Sequence, residues 1–336
     1  MKVSKKMINK DIRITGSIIR SIYKFRKKSQ FKICNKMLNK FMKGKHPRNI
    51  KVEEKYISRK DKTKIRILIC YPNNQKENAT GVLWIHGGGY AIGIPEQEFN
   101  YVKKIIENTN SVIILPEYTL SVDKPYPAAL EDCYTALLWM KENSKDLGIN
   151  QNQLFISGES AGGGLTSALS FYARDKEEVA IAFQMPLYPM LDCRMQTESM
   201  KENDAPIWDY KANKLGWKLY LDNLYGTSKI PYYASPSLAK DYSNLPPTYT
   251  FVGNIEPFYD ETIEYINNLK NAGVNAKVDV YDGCFHAFDL FGSKKKIGIE
   301  ATKKWLKEFK YATENYYANQ NTLKNKVENS KKQMQD

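Results

Sequence analysis

At 336 residues with 42% apolar side chains, the chain has the length and hydrophobic mass for one large domain with additions, and no run of 18 apolar residues that would span a membrane. The net charge of +14 is concentrated. Residues 1–60 hold 20 Lys and Arg against Asp11, Glu53 and Glu54, so the other 276 residues balance at −3 and offer nucleic acid nothing to bind.

Residues 1–45 are laced with lysine but lack the apolar stretch and cleavage site of a secretory signal. Apolar residues fall at Ile18, Ile19, Ile22, Tyr23 and Phe25, and again at Met37, Leu38, Phe41 and Met42. Both sets have i, i+3, i+4 spacing and predict amphipathic helices, which Gly44, Pro47 and Arg48 close. Such a segment suits peripheral contact with an anionic membrane or lipid, or a solvated lysine face with one apolar stripe on a core.

Residues 64–72 read as a strand, 73–80 as a turn, and 81–86 as a strand running into Gly87-Gly88-Gly89. A helix is expected over 95–108, with Phe99, Val102, Ile105 and Ile106 on one face, then a buried strand over 111–115. A Pro-rich loop leads to a long helix with Leu130, Tyr134, Leu137 and Leu138 at helical spacing. Leu154-Phe155-Ile156 is a strand, followed by Gly158-Glu159-Ser160-Ala161-Gly162 and a run of small residues that reads as a helix on a sheet. After a strand over 181–187 the alternation stops. Residues 190–228 carry Trp208, Tyr210, Trp217, Tyr220, Leu221 and Tyr225 as an aromatic insertion. A strand over 248–252, a helix over 257–272, a strand over 277–281 and a Lys-rich helix over 293–311 complete the pattern, and the polar end beyond is expected to fray. Alternating strands and helices predict an α/β fold, a mostly parallel central sheet with helices on both faces. Cys34, Cys70, Cys133, Cys193 and Cys284 are odd in number and form no C-x-x-C pair or metal-spaced cluster. They suit free thiols in a reducing cytoplasm, and neither a metal nor a cofactor is expected.

Gly158 to Gly162 fits G-x-S-x-G between a strand and a helix, a sharp turn that lifts Ser160 Oγ to the carboxyl edge of a sheet. A serine hydroxyl needs a base, an orienter for that base, and donors for an oxyanion. The chain has three histidines, His46, His86 and His286. His286, on a loop after the last strand, is the only one downstream of Ser160. His86 leads three glycines whose bare backbone lets Gly88 and Gly89 N–H approach a substrate oxygen, with Ala161 N–H as a third donor. His86 is expected to shape that loop. An acid between Ser160 and His286 is required, and two compete after the strand over 248–252. Glu256 lies on the loop. Asp260, the runner-up, falls in the first turn of the next helix, where it also has a role toward the dipole.

HGGG, GxSAGG, Pro125-x-Pro127-Ala128-Ala129-x-x-Asp132, the acid-Pro-x-x-Asp-Glu stretch from Glu256 and His286-x-Phe288 together resemble the hormone-sensitive lipase-like family of α/β-hydrolases over about residues 78–290. Two positions depart from the family: Glu256 stands where Asp is usual, and Glu159 replaces the Asp before the nucleophile. The latter is read as a carboxylate that anchors a loop. The resemblance implies a serine carboxylesterase acting on a small-molecule ester, with the N-terminal helices and residues 190–228 forming a cap. Related plant hormone receptors imply the alternative, a non-catalytic ligand-binding protein, but those have lost the histidine that is present here as His286. A membrane-associated lipase is the other alternative. The expected organisation is a basic helical segment over 1–60, a catalytic domain over 61–311 with its insertion about 190–228, and a frayed tail over 312–336.

Overall fold

The computed structural model describes residues 1–321. Eight strands, β1 (Lys51–Ser58), β2 (Lys64–Tyr71), β3 (Ala79–Ile85), β4 (Ser111–Pro116), β5 (Ile149–Glu159), β6 (Phe183–Leu187), β7 (Thr248–Gly253) and β8 (Ala276–Tyr281), form one sheet in the order β1-β2-β4-β3-β5-β6-β7-β8. β2 runs antiparallel to both β1 and β4, and every other pairing is parallel. The helices are α1 (Arg13–Ile22), α2 (Lys28–Phe41), α3 (Phe99–Asn108), α4 (Ala128–Glu142), α5 (Ala161–Lys176), α6 (Tyr210–Leu221), α7 (Tyr259–Asn271), the single turn α8 (Phe288–Phe291) and α9 (Lys296–Asn315).

Strand β3 shows how the core is layered. Every residue in it is buried, yet successive side chains enter opposite layers, as a period of two requires. Leu83 and Ile85 join Leu130, Leu137 and Leu165 from α4 and α5, whereas Val82 and Trp84 join Val102, Ile105 and Trp305 from α3 and α9. The sheet is therefore covered on both faces, and its carboxyl edge is left to the loops.

Three expectations are corrected. Residues 51–58 are the edge strand of the main sheet, so the N-terminal segment is helical only over its first part. β1 is mostly exposed and charged, which protects a sheet edge and hides a strand from periodicity. The buried Arg66 on β2 holds it by bonding Glu54 at 2.7 Å. The helix expected over 95–108 opens as a 3₁₀ turn at Pro95–Glu98, and α3 begins at Phe99. Finally, residues 312–321 do not fray. α9 continues to Asn315, Gln153 Nε2 donates to Thr313 O at 2.7 Å, and the buried Gln320 amide bonds both the N–H (2.9 Å) and the carbonyl (2.8 Å) of Ala180. Amide side chains tie this polar stretch down together with Ala312 in the core and Tyr316 stacked on Phe183 at 5.7 Å; the rest of the expected tail, 322–336, lies outside the described residues.

α1 and α2 lie across the carboxyl edge. On α1, Gly16 sits so close to Phe285 that a Cβ there would come within 2.6 Å of its ring. On α2, the buried Phe31 stacks on Phe25 (4.9 Å between centroids) and lies 6.5 Å from the Trp208 ring. The end of α2 is tethered where Gly44 N–H donates to Glu96 (2.7 Å), which also bonds Arg66.

Candidate active site

Strand β5 ends at Glu159 and α5 begins at Ala161, leaving Ser160 at the corner with φ 59° and ψ −121°. A positive φ is strained for a non-glycine residue, and the surroundings enforce it. Ser160 N–H donates to Leu187 O (3.0 Å), and Ser160 O accepts from Gly164 N–H (2.9 Å) and Met190 N–H (3.0 Å). The corner also needs glycine at 162, because a Cβ there would lie 2.1 Å from Ile85 O. The first turn of α5 can thus rest directly on the end of β3.

β8 turns at Asp282-Gly283, and the following loop brings His286 back over β5. His286 Nε2 lies 2.8 Å from Ser160 Oγ, and its Nδ1 lies 3.2 Å from Glu256 Oε2 on the loop after β7. Of the two acids, Glu256 is the one that meets the histidine. Asp260 instead accepts the Ser199 N–H at 2.7 Å and fixes the loop of the insertion. Tyr188 and Phe258 hold the imidazole edge-on at 5.0 Å each. Ser160 keeps 8% of its exposure, His286 3% and Glu256 none. Burial pushes the imidazole down to about 3, so His286 is neutral at rest and able to accept a proton. Burial, with Asp289 nearby, pushes the Glu256 carboxyl up.

The loop after β3 faces this chain of bonds. Gly88 has φ +117°, and a Cβ on it would lie 2.1 Å from Ile92 O. Its carbonyl accepts from Ala91 and Ile92 N–H, closing the turn. The amides of Gly88 and Gly89 donate to no acceptor among the described residues, and Ala161 N–H is unpaired at the start of α5. His86 is turned away, stacked on Tyr118 at 4.1 Å, with Nδ1 donating to Gly87 O at 2.8 Å. Burial pushes it down to about 4, so it packs as a neutral ring.

Buried acids brace the site: Glu159 is the loop anchor expected from the sequence, whereas Glu98 and Asp289 carry no sequence signal. Glu159 Oε1 accepts the Gly87 N–H at 2.5 Å, and its carboxyl group faces that of Glu98, which accepts from Trp84 Nε1 at 2.8 Å. Glu159 Oε2 has no hydrogen-bond partner among the described residues. Burial first, then the facing acid, pushes Glu159 up. Asp289 on α8 accepts from Tyr101 (2.7 Å) and Tyr188 (3.1 Å), bracing the ring that holds His286.

Trp208 of the insertion and Asn35 of α2 pack on the loop. A Cβ on Gly89 would lie 2.2 Å from the Trp208 ring, which Asn213 fixes through the indole N–H at 3.0 Å. Asn35 on α2 donates to Ala91 O (2.9 Å) and accepts from Gly93 N–H (3.2 Å), clamping the segment that follows the glycines. Among the described residues no group of three or more His, Cys, Asp or Glu side chains could hold a metal ion, and no helix is long and apolar enough to cross a membrane.

The family model for the α/β-hydrolase fold matches residues 82–290. The carboxylesterase NlhH of Mycobacterium tuberculosis is 27% identical over 266 residues, covering 78% of this chain and 83% of that protein. An arylesterase of Saccharolobus solfataricus is 29% identical over 230 residues, 65% of this chain and 71% of its own length. Among solved structures, a bacterial heroin esterase superposes with a TM-score of 0.85 at 26% identity, over 93% of this chain and 99% of that one.

Proposed function

The chain belongs to the α/β-hydrolase fold family, among its hormone-sensitive lipase-like carboxylesterases, and on that premise we propose that it hydrolyses short-to-medium acyl esters through a Ser160–His286–Glu256 triad. The observation that carries this reading is the continuous path from Glu256 through His286 to Ser160, at 3.2 and 2.8 Å, beneath three amides with no partner among the described residues.

His286 Nε2 takes the hydroxyl proton as Ser160 Oγ attacks the ester carbonyl. The developing oxyanion accepts from the N–H groups of Gly88, Gly89 and Ala161, where losing one donor typically costs about 10²–10³ in kcat. Glu256 keeps the Nδ1 proton in place and stabilises the imidazolium. The imidazolium then protonates the departing alcohol, leaving Ser160 acylated. His286 next deprotonates a water that attacks the acyl carbon, and the acid leaves with Ser160 restored. None of these steps calls on a cofactor.

The contact of Trp208 with the oxyanion loop, where a Cβ on Gly89 would meet its ring, supports the acyl-length reading. Five free cysteines support a reducing, cytoplasmic setting. Hydrolysis of p-nitrophenyl esters from acetate to laurate tests the proposal. We expect kcat/KM to peak at or below the hexanoate and fall beyond it; a rise through to laurate, or cleavage of none of them, overturns it.

A further inference from the structure

The helices that close the site also carry a face with no partner among the described residues. Ile12, just before α1, and Gly16 and Ile19 on it turn inward and are buried, while Ile14 (73% exposed), Ile18 (58%) and Ile22 (70%) face outward. On α2, Phe31 is buried and Asn35 grips the 91–93 segment, while Ile33 (58%), Met37 (56%) and Phe41 (55%) face outward. Each exposed set repeats every four residues, one apolar stripe along a helix. Lys32, Lys36 and Lys40 each precede a stripe residue of α2, about 100° round the helix. Their stems can lie along its shoulder while the ammonium groups reach outward. With Lys24, Lys27 and Lys28 in and beside the connection, they have no carboxylate partner among the described residues. The basic groups of this region that are paired, Arg20, Arg26 and Lys43, turn instead to Asp204, Asp209 and Glu117 of the body.

We propose that the outer faces of α1 and α2 dock on an anionic lipid surface. An interfacial helix needs an apolar stripe flanked by cations, and both are present on this face. Charge selects the occupant. A second copy would bring the same unpaired lysines against these, whereas anionic headgroups complement them. The docking face belongs to the helices whose inner sides cover Trp208 and clamp the loop after Gly89, so the lipid contact lies on the cap itself.

Co-sedimentation of the full chain with vesicles tests this, and it reads binding without relying on ester chemistry. We expect pelleting with an equimolar mixture of phosphatidylcholine and phosphatidylglycerol, none with phosphatidylcholine alone, and release by salt. Two variants, Ile18→Ser/Ile33→Ser/Met37→Ser/Phe41→Ser and Lys32→Glu/Lys36→Glu/Lys40→Glu, should each weaken binding by about tenfold or more. Both should keep p-nitrophenyl butyrate hydrolysis, because none of these side chains faces the site. No pelleting at low salt, equal pelleting of wild type and variants, or a lipid-free dimer that the serine variant dissolves would overturn the proposal.

Discussion

Glu159 Oε1 accepts the Gly87 N–H at 2.5 Å, so the residue before the serine turn also holds the first glycine of the loop facing that serine. Two elements that must keep register for an oxyanion to be bound are joined by one buried carboxylate. Replacing Glu159 by Ala frees Gly87 and should lower kcat for p-nitrophenyl butyrate by about 10²-fold, comparable to losing an oxyanion donor, with KM little changed. Glu159→Gln keeps an acceptor and should recover most of that loss. Equal damage from both variants would contradict the positioning role.

Glu98 makes a prediction about stability. Burial pushes its carboxyl from 4.5 up to about 7. Between those values the folded state holds a proton that the unfolded chain has released, so stability falls as pH rises through this window. One such proton accounts for at most about 1.4 kcal/mol per pH unit. Below the window both states are protonated, and the folded state is free of the penalty. The difference in stability between wild type and Glu98→Gln, followed by urea denaturation, should therefore decline from pH 4.5 to 7 and level off above. A pH-independent difference would show that Glu98 is not the group holding the proton.

The acids after β7 separate cleanly. Glu256→Gln replaces the carboxyl group that meets His286 Nδ1 with an amide and should cost kcat about 10⁴-fold, as in the Ser-His-Asp template. Asp260→Ala should leave kcat within a few-fold and lower stability by about 1–3 kcal/mol, since it strands the Ser199 N–H. The opposite order in a side-by-side kinetic and denaturation comparison would transfer the orienting role to Asp260.

Trp208 sets the room above the oxyanion loop. Trp208→Ala removes the ring lying on Gly89 and should raise the octanoate-to-butyrate ratio of kcat/KM by about tenfold, the order of discrimination a methylene or two gives in an apolar pocket. An unchanged ratio would place the acyl chain elsewhere.

The fold and much of the site can be read from the chain for physical reasons. Strands buried on both faces leave continuous apolar runs, as in β3, β4 and β5. The search for a base is short when only three histidines exist, and G-x-S-x-G between a strand and a helix fixes where a serine must stand. What escaped reading lacks a local signal. The edge strand β1 is charged because it is exposed. Glu98, Tyr188 and Asp289 reach the site only through contacts distant in sequence. Periodicity finds the N-terminal helices, but each has apolar residues on two sides. It does not tell that Ile12 and Phe31 turn inward while Ile18, Ile22, Met37 and Phe41 turn out.

The most direct test of the central claim is peptide mass spectrometry after exposure of the purified chain to a fluorophosphonate. The account predicts a single phosphonyl adduct, on Ser160, formed far more slowly in His286→Ala. Ester hydrolysis by a protein that shows no adduct on Ser160, or carries its adduct on another residue, would contradict it.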